Sequence, residues 1–184
     1  TFEDVIINED PETVAGIIVE PITNTGGIIT PTDEYFQILR EVCDRHQVLL
    51  MFDEIITGMG RTGQMFAAQT FGVTPDLLCL GKGLSGGYAP IAALLCRRHI
   101  AETFWGDPES NPGFVEGHTF EGNPISSAAG LATLSEILER DLCANVRTQG
   151  QRLRAGFESF KQHGIIGDIR GKGLMQGIEL VADP

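Results

Sequence analysis

A lysine and an aspartate stand where the sequence favours chemistry on a carbonyl group. Lys82 lies between two glycines directly after an apolar run at residues 77–80, and Asp53 directly follows another apolar run at residues 48–52. An accessible lysine amine can form a Schiff base with a carbonyl. A carboxylate at the end of a buried strand needs a cationic partner, because an unpaired buried charge is costly.

The two residues together match the needs of one cofactor. Pyridoxal phosphate is held by a lysine through a Schiff base, and an aspartate keeps its pyridine nitrogen protonated. Simpler roles stay open at this point. Lys82 could be a solvated loop lysine, and Asp53 could cap a helix or pair with Arg61.

Other patterns near these residues suggest different chemistry. Gly-x-Gly-x-x-Gly occurs at residues 58–63 and 81–86, but it indicates a dinucleotide site only when a helix starts within it. Residues 83–87 form Gly-x-Ser-x-Gly, and Asp141 and His163 follow in the order of an α/β-hydrolase. No serine or threonine follows the lysine, which excludes a P-loop. The dinucleotide and hydrolase hypotheses stay open as the weaker alternatives.

The composition excludes several partners. The 184 residues carry 25 Asp plus Glu against 13 Lys plus Arg, a formal net charge of −12. Such an acidic surface repels nucleic acid and anionic membranes. A hydrophobic share of 42% is ordinary for a globular protein, so disorder and fibrous classes do not fit.

The cysteines and the ends of the chain bear on location and completeness. Four cysteines occur without a Cys-x-x-Cys pair, which favours reduced thiols, a cytoplasmic location and no metal site. No apolar run approaches the roughly 18 residues of a membrane span. The chain begins at Thr1 without a methionine, so we expect an internal fragment of a longer protein.

Apolar runs and helical periodicity predict the elements that position these residues. Strands are expected at residues 14–20, 48–52, 77–80 and 174–181, with a turn and then a strand over 88–96, and helices at 32–46, 123–140 and 144–163. The stretch 164–173 is expected to be a turn. Strands with few polar residues, alternating with helices, predict a mostly parallel sheet. Ligands of such folds bind at the carboxyl ends of the strands, where Glu20, Asp53 and Lys82 would lie.

Several of these segments resemble the class III pyridoxal-phosphate-dependent aminotransferases of fold type I. The segments are DEIITGMGRTG at residues 53–63, PD at 75–76, GKG at 81–83, GHTFEGNP at 117–124 and RGKGL at 170–174. Their order and separation are far more specific than any one of them. The resemblance extends from about Val14 to the end of the chain.

The resemblance implies roles for individual residues. Lys82 would form the Schiff base with pyridoxal phosphate and later move a proton. Asp53 would pair with the pyridine nitrogen, and Ile55 would pack on one face of the ring. Thr119 would bind the phosphate of the neighbouring subunit's cofactor, so the resemblance implies a homodimer with a shared site. Glu20 matches a family glutamate near the cofactor.

Two positions depart from the commonest family pattern. Ile56 stands beside the cofactor where many members carry a glutamine that hydrogen-bonds its 3′ oxygen. Thr25 stands where glutamate-accepting members carry a glutamate that pairs with a switching arginine, and a hydroxyl cannot hold a guanidinium as a carboxylate does. Both departures favour an amine or ω-amino acid donor with pyruvate as acceptor.

The resemblance therefore implies a three-layer α/β/α sandwich. Residues 1–170 would form most of the large cofactor-binding domain, and residues 171–184 would begin a small C-terminal α+β domain. The implied reaction is transamination between a small-molecule amine and a keto acid. A decarboxylase or an aminomutase on the same fold, or a catalytically incompetent fragment, remains the alternative.

Overall fold

Helices and strands alternate along the chain. In the computed structural model, residues 1–105, 109 and 113–182 are described. The helices are α1 (Phe2–Asn8), α2 (Tyr35–His46), α3 (Ala67–Phe71), α4 (Arg98–Glu102), α5 (Pro124–Glu139) and α6 (Leu142–Glu158). The strands are β1 (Gly16–Val19), β2 (Leu49–Asp53), β3 (Leu77–Leu80), β4 (Ala93–Cys96), β5 (Ile166–Lys172) and β6 (Met175–Leu180). Short 3₁₀ turns occupy Pro11–Thr13, Lys82–Ser85 and Ser159–Gln162.

The first four strands form one sheet in the order β1-β2-β3-β4. The β1–β2 and β2–β3 pairs are parallel, and β4 runs antiparallel to β3. Strands β5 and β6 form a separate antiparallel hairpin. The predicted α/β class with a mostly parallel sheet is confirmed. Because β1, β2 and β3 run in one direction, their carboxyl ends meet at one edge of the sheet.

One face of this sheet carries the main core. Leu50 and Phe52 of β2 are fully buried under α2 and α3. The Phe36 ring of α2 lies 4.9 Å from the ring of Phe52 and 4.9 Å from that of Phe71 in α3. Side chains alternate along a strand, so Asp53 lies on the other face. That face is less covered, and Ile18 of β1 is 57% exposed.

Helix α5 packs against the turn that follows β3. Asn123 caps this helix as predicted, with its side-chain oxygen accepting from the N–H groups of the second and third helical residues. At Gly130, a side chain would lie 3.6 Å from the Leu84 carbonyl oxygen. The outer side of α5 is apolar as well, and Ile125, Leu131 and Leu138 are each at least 67% exposed.

The β5–β6 hairpin docks on the segment after β2. Met175 of β6 belongs to the main core, and the Leu174 N–H donates to the Arg61 carbonyl at 3.2 Å. The hairpin turn includes Gly173 at φ 58°, where an added Cβ would come within 2.5 Å of the Thr62 carbonyl carbon. A residue with a side chain at this position would separate the two segments.

Several element boundaries differ from the sequence-based expectations. Helix α2 begins at Tyr35, after Thr32 and Asp33, and its N-cap residue makes no side-chain capping bond. Helix α6 begins earlier than predicted, with Asp141 as its N-cap, and ends at Glu158 in a 3₁₀ turn. Part of the expected turn at 164–173 is strand β5, and α1 was not predicted. Within α2, the apolar Ile38 is exposed.

Candidate active site

The parallel sheet brings three predicted residues to one edge. Glu20 follows β1, Asp53 ends β2, and Lys82 follows β3 after one glycine. Because β2 lies between β1 and β3, Asp53 lies between the other two positions. The carboxyl edge of the sheet is thus the candidate active site.

Asp53 presents a half-buried carboxylate at the end of β2. Its Oδ1 accepts a hydrogen bond from the Ile55 N–H at 3.0 Å. Its register partner on β3 is Cys79, on the same face of the sheet. Burial raises the pKa of the Cys79 thiol, and the negative charge of Asp53 raises it further to a smaller extent. Within the described part of the chain, no lysine or arginine pairs with Asp53, so the salt bridge to Arg61 considered as a simpler role is not formed.

Lys82 opens the 3₁₀ turn after β3 and is exposed, with φ 38°. The flanking glycines let neighbours come close. A Cβ at Gly81 would lie 3.5 Å from the Ile55 side chain, and one at Gly83 would lie 3.2 Å from Cβ of Met59. The backbone around Lys82 therefore packs directly against the segment that follows Asp53.

A cavity of about 310 Å³ joins Lys82 to residues after β2. Ile55 and Ile56 line it together with Lys82. Asn24 and Ile28, from the loop after β1, line it as well. The cavity is thus lined by three of the predicted site residues. A larger cavity of about 480 Å³ lies near Asp76 and is lined by none of the predicted site residues.

Glu20 and Thr119 lie apart from this cavity. The Glu20 carboxylate accepts from the Asn24 N–H at 3.2 Å and so stabilises the turn whose residue Asn24 lines the cavity. Thr119 lies in an exposed turn before α5. Thr119 does not line the cavity that Lys82 lines.

Two buried acids near the sheet, Glu54 and Asp76, carry no role in the sequence-based prediction. Glu54 is 1% exposed, and its carboxylate accepts from the N–H groups of Ala67 and Ala68 and from the Thr57 hydroxyl. Both acids belong to the segments DEIITGMGRTG and PD of the family resemblance. The place of Glu54 and Asp76 within these segments was the one sequence feature that could have marked them as functional residues.

Asp76 joins three elements at the opposite end of the sheet. Its carboxylate accepts from the Leu50 N–H at 2.8 Å and from Arg40 of α2 at 2.7 Å, and it lies 3.4 Å from Arg97 after β4. Burial favours a raised pKa for Asp76. The hydrogen bonds from Leu50 and Arg40 and the two arginine charges outweigh burial, and they hold the pKa below its usual value.

The competing sequence hypotheses do not fit the structure. The Ser85 side chain is buried and donates to the Ala89 carbonyl oxygen, so it is not placed as a nucleophile. The glycine-rich segment at 58–63 is followed by a helix only at Ala67. The second one contains a 3₁₀ turn of four residues, which gives no long helix for a pyrophosphate.

Metal sites and membrane spans are both missing from residues 1–105, 109 and 113–182. No group of three or more His, Cys, Asp and Glu in these ranges is arranged to hold a metal ion. Helices in the same ranges are too short or too polar to cross a membrane.

The family model of the class-III aminotransferases matches the chain over residues 1–184. The chain therefore belongs to the class-III aminotransferase family, and the resemblance carried by the sequence motifs is confirmed.

Named relatives agree with this assignment. The chain is 41% identical to the taurine–pyruvate aminotransferase of Bilophila wadsworthia, over 99% of the chain and 40% of that protein. It is 38% identical to the hypotaurine/taurine–pyruvate aminotransferase of Paracoccus denitrificans, over 99% of the chain and 40% of that protein. The chain thus spans about two fifths of the length of these relatives.

A solved structure agrees with the fold. A thermostable (S)-enantioselective ω-transaminase from Thermomicrobium roseum superposes with a TM-score of 0.92 at 36% identity. The match covers 99% of this chain and 40% of the other. It confirms the predicted transaminase fold class.

Proposed function

We propose that the full-length protein is a pyridoxal-phosphate-dependent aminotransferase. It moves an amino group from an amine or ω-amino acid to a keto acid, with pyruvate as the favoured acceptor. The observation that carries this proposal is the placement of Asp53 and Lys82 at neighbouring strand ends in a class-III aminotransferase chain.

The groups at the sheet edge fit pyridoxal phosphate by their chemistry. Within the described residues, the Lys82 amine makes no hydrogen bond or ion pair, so it is available to a carbonyl carbon. Asp53 commits one oxygen to the Ile55 N–H and forms no ion pair with a lysine or arginine in the described ranges, so it can accept a hydrogen bond from the protonated nitrogen of a pyridine ring. When bound, the cofactor supplies an electron sink that lets a proton leave the carbon bearing the amino group.

The chain's own residues then have distinct tasks. Lys82 holds the cofactor and carries the proton at Nζ. Asp53 would keep the pyridine nitrogen protonated, and Ile55 would pack on one face of the ring. Ile56 lines the same cavity and would offer the cofactor no hydrogen bond. Glu20 stabilises the turn at the cavity's edge.

Two features support an amine or ω-amino acid donor and pyruvate. Thr25 lies in the exposed turn after Glu20 and offers no carboxylate to an arginine. Ile56 lines the cavity together with Lys82 and offers no hydrogen-bonding side chain there. The names of the two relatives include pyruvate, and taurine is an ω-amino acid whose acid group is a sulfonate.

A homodimer with shared sites is part of the proposal. Helix α5 is apolar on its outer side as well as its inner side, as expected of a helix that is covered all round in the assembly. Phe120, next to Thr119, is 81% exposed, and Val115 is 92% exposed. We propose that this surface meets the partner subunit and that Thr119 binds the phosphate of the partner's cofactor.

The proposal extends to location and domain division. The four cysteines are free thiols, which supports a reducing compartment such as the cytoplasm. The proposed division has a large domain at 1–170 and a small domain that begins at 171. The separate β5–β6 sheet, which starts at Ile166, supports a new structural unit near this point but begins before the proposed boundary.

The test uses the full-length protein and two lysine variants. Purified wild type should show a visible absorbance band that borohydride removes, and Lys82→Ala should lack it. Lys161→Ala is the matched control, because Lys161 is an exposed lysine whose ion pair is with Glu158 on its own chain segment. A band that survives in Lys82→Ala would refute the assigned lysine.

A donor panel tests the reaction itself. Amines and ω-amino acids are offered with pyruvate, and alanine is measured. Alanine formation that depends on Lys82 supports the proposal. Carbon dioxide release or an isomerised donor without alanine would instead indicate the decarboxylase or aminomutase alternative, and no conversion at all would refute catalysis.

A further inference from the structure

We propose that Glu54 is a positioning residue for the cofactor edge: its buried carboxylate ties the end of β2 to helix α3 and so fixes Asp53 and Ile55. This inference rests on the proposed function, because it concerns how the pyridine ring is held. Glu54 touches neither substrate nor cofactor in this assignment.

The carboxylate of Glu54 makes three hydrogen bonds inside the protein. Oε2 accepts from the Ala67 N–H at 2.6 Å and from the Thr57 hydroxyl at 3.2 Å, and Oε1 accepts from the Ala68 N–H at 2.8 Å. Ala67 and Ala68 are the first residues of α3, and the preceding Phe66 has no side-chain oxygen to cap them. Glu54 therefore takes the place of a capping residue from 13 positions away.

Two hydrogen bonds also hold the backbone of Glu54. Its N–H donates to the Cys79 carbonyl at 3.0 Å, which extends the β2–β3 pairing beyond Asp53. Its carbonyl accepts from the Gly58 N–H at 3.0 Å, and a Cβ at Gly58 would lie 2.7 Å from that oxygen. The glycine thus allows a close turn that only a residue without a side chain can make.

These contacts place the two neighbours of Glu54. Consecutive side chains at a strand end leave in opposite directions, so Glu54 points to α3 while Asp53 points to the less covered face. The Ile55 N–H then donates to Asp53 at 3.0 Å, and the Ile55 side chain lines the cavity with Lys82. Loss of the hydrogen bonds to the Glu54 carboxylate would therefore let Asp53 and Ile55 shift together.

The partners of Glu54 suit its ionised form. All three are donors, and an ionised carboxylate is a pure acceptor. No lysine or arginine pairs with it among the described residues, so the three hydrogen bonds alone oppose the cost of burial, and burial still raises the pKa of Glu54 above its usual value. Glutamine has the same shape, but its amide nitrogen would face an N–H donor. Glu54→Gln therefore loses at least one bond without leaving a cavity.

The experiment measures the cofactor, with a buried acid elsewhere as control. Full-length wild type, Glu54→Gln and Asp76→Asn are stripped of cofactor, and pyridoxal phosphate is titrated back. Asp76 is comparably buried but lies at the other end of the sheet. Visible circular dichroism reports how the bound ring is oriented, and thermal unfolding of the stripped proteins reports stability.

We expect Glu54→Gln to bind pyridoxal phosphate about tenfold or more weakly, from the loss of a charged hydrogen bond, and to change the visible dichroism. Asp76→Asn should lower thermal stability yet keep both cofactor readouts. Equal changes in the two variants, or no change in Glu54→Gln, would overturn the positioning role.

A second variant covers the case in which Glu54→Gln does not fold. Thr57→Val removes one donor and keeps the shape, so it should weaken cofactor binding about two- to fivefold with a smaller change in dichroism. Unchanged binding and dichroism in that variant would overturn the inference. If wild type itself fails to bind pyridoxal phosphate in a borohydride-sensitive form, the proposed function fails instead.

Discussion

Replacing Asp76 by alanine should destabilise the protein strongly, because this one carboxylate joins α2, β2 and the segment after β4. The change leaves the Leu50 N–H buried without its acceptor. It also removes the buried partner of Arg40, whose side chain is only 15% exposed and whose Nε has no hydrogen-bond partner among the described residues. Arg40 then keeps its contact with the exposed Asp44.

The size of the effect follows from these contacts. An unsatisfied buried N–H costs about 1–3 kcal/mol. Breaking a buried ion pair by removing one partner costs about 3–5 kcal/mol, and that figure includes much of the unpaired-group penalty. We therefore expect Asp76→Ala to lower the free energy of unfolding by about 3–5 kcal/mol near neutral pH.

The loss should depend on pH in a defined direction. The folded-state pKa of Asp76 lies below its value in the unfolded chain, so the folded protein takes up the proton less readily. The stability from Asp76 is therefore fully present above the ordinary carboxylate pKa of about 4. It is lost as the pH falls through the folded-state pKa, and the gap between wild type and variant should narrow there.

Urea unfolding of the full-length protein measures this gap, and hydrogen exchange at the amides of α2 and β2 shows where the structure opens. Glu136→Ala is the matched control, because its ion pair with Arg140 is exposed and should contribute less than about 1 kcal/mol. A loss below about 1 kcal/mol for Asp76→Ala, or a loss that does not narrow at acid pH, would refute the reasoning.

Two further predictions concern backbone geometry and thiol chemistry. Gly173→Ala should destabilise the full-length protein by more than about 2 kcal/mol in the same urea assay, since its φ is 58° and a Cβ would strike Thr62; an unchanged unfolding midpoint would contradict it. Cys79 should react with iodoacetamide more slowly than exposed Cys96, as followed by peptide mass spectrometry, because burial and Asp53 raise the pKa of the Cys79 thiol. Asp53→Asn should speed the reaction at Cys79, and an unchanged rate would argue against that electrostatic effect.

The elements that local sequence determines were predicted well. Strand β3 was predicted at residues 77–80 and is found there, because a short apolar run between turn residues is typical of a buried strand. The Asn123 cap of α5 was also predicted, since asparagine followed by proline suits a helix start. The carboxyl-edge placement of Asp53 and Lys82 then followed from parallel topology.

Features that depend on distant partners were missed. Strand β5 contains Gly167 and Gly171, and it became a strand through its pairing with β6. The Glu54 carboxylate accepts a hydrogen bond from a group 13 residues away, and the Asp76 carboxylate accepts one from a group 36 residues away. No local sequence pattern spans such separations. At α2, Thr32 and Asp33 are good capping types, but the helix starts too far beyond them for their side chains to cap it.

The apolar outer side of α5 also bears on how the chain should be handled in the laboratory. Residues 1–184 expressed alone would expose large apolar patches to solvent. One patch contains Ile125, Leu131 and Leu138 of α5, and another is the less covered sheet face around Ile18. Such surfaces promote aggregation. Soluble preparations should therefore come from the full-length gene, and precipitation of the isolated piece would say nothing against its fold.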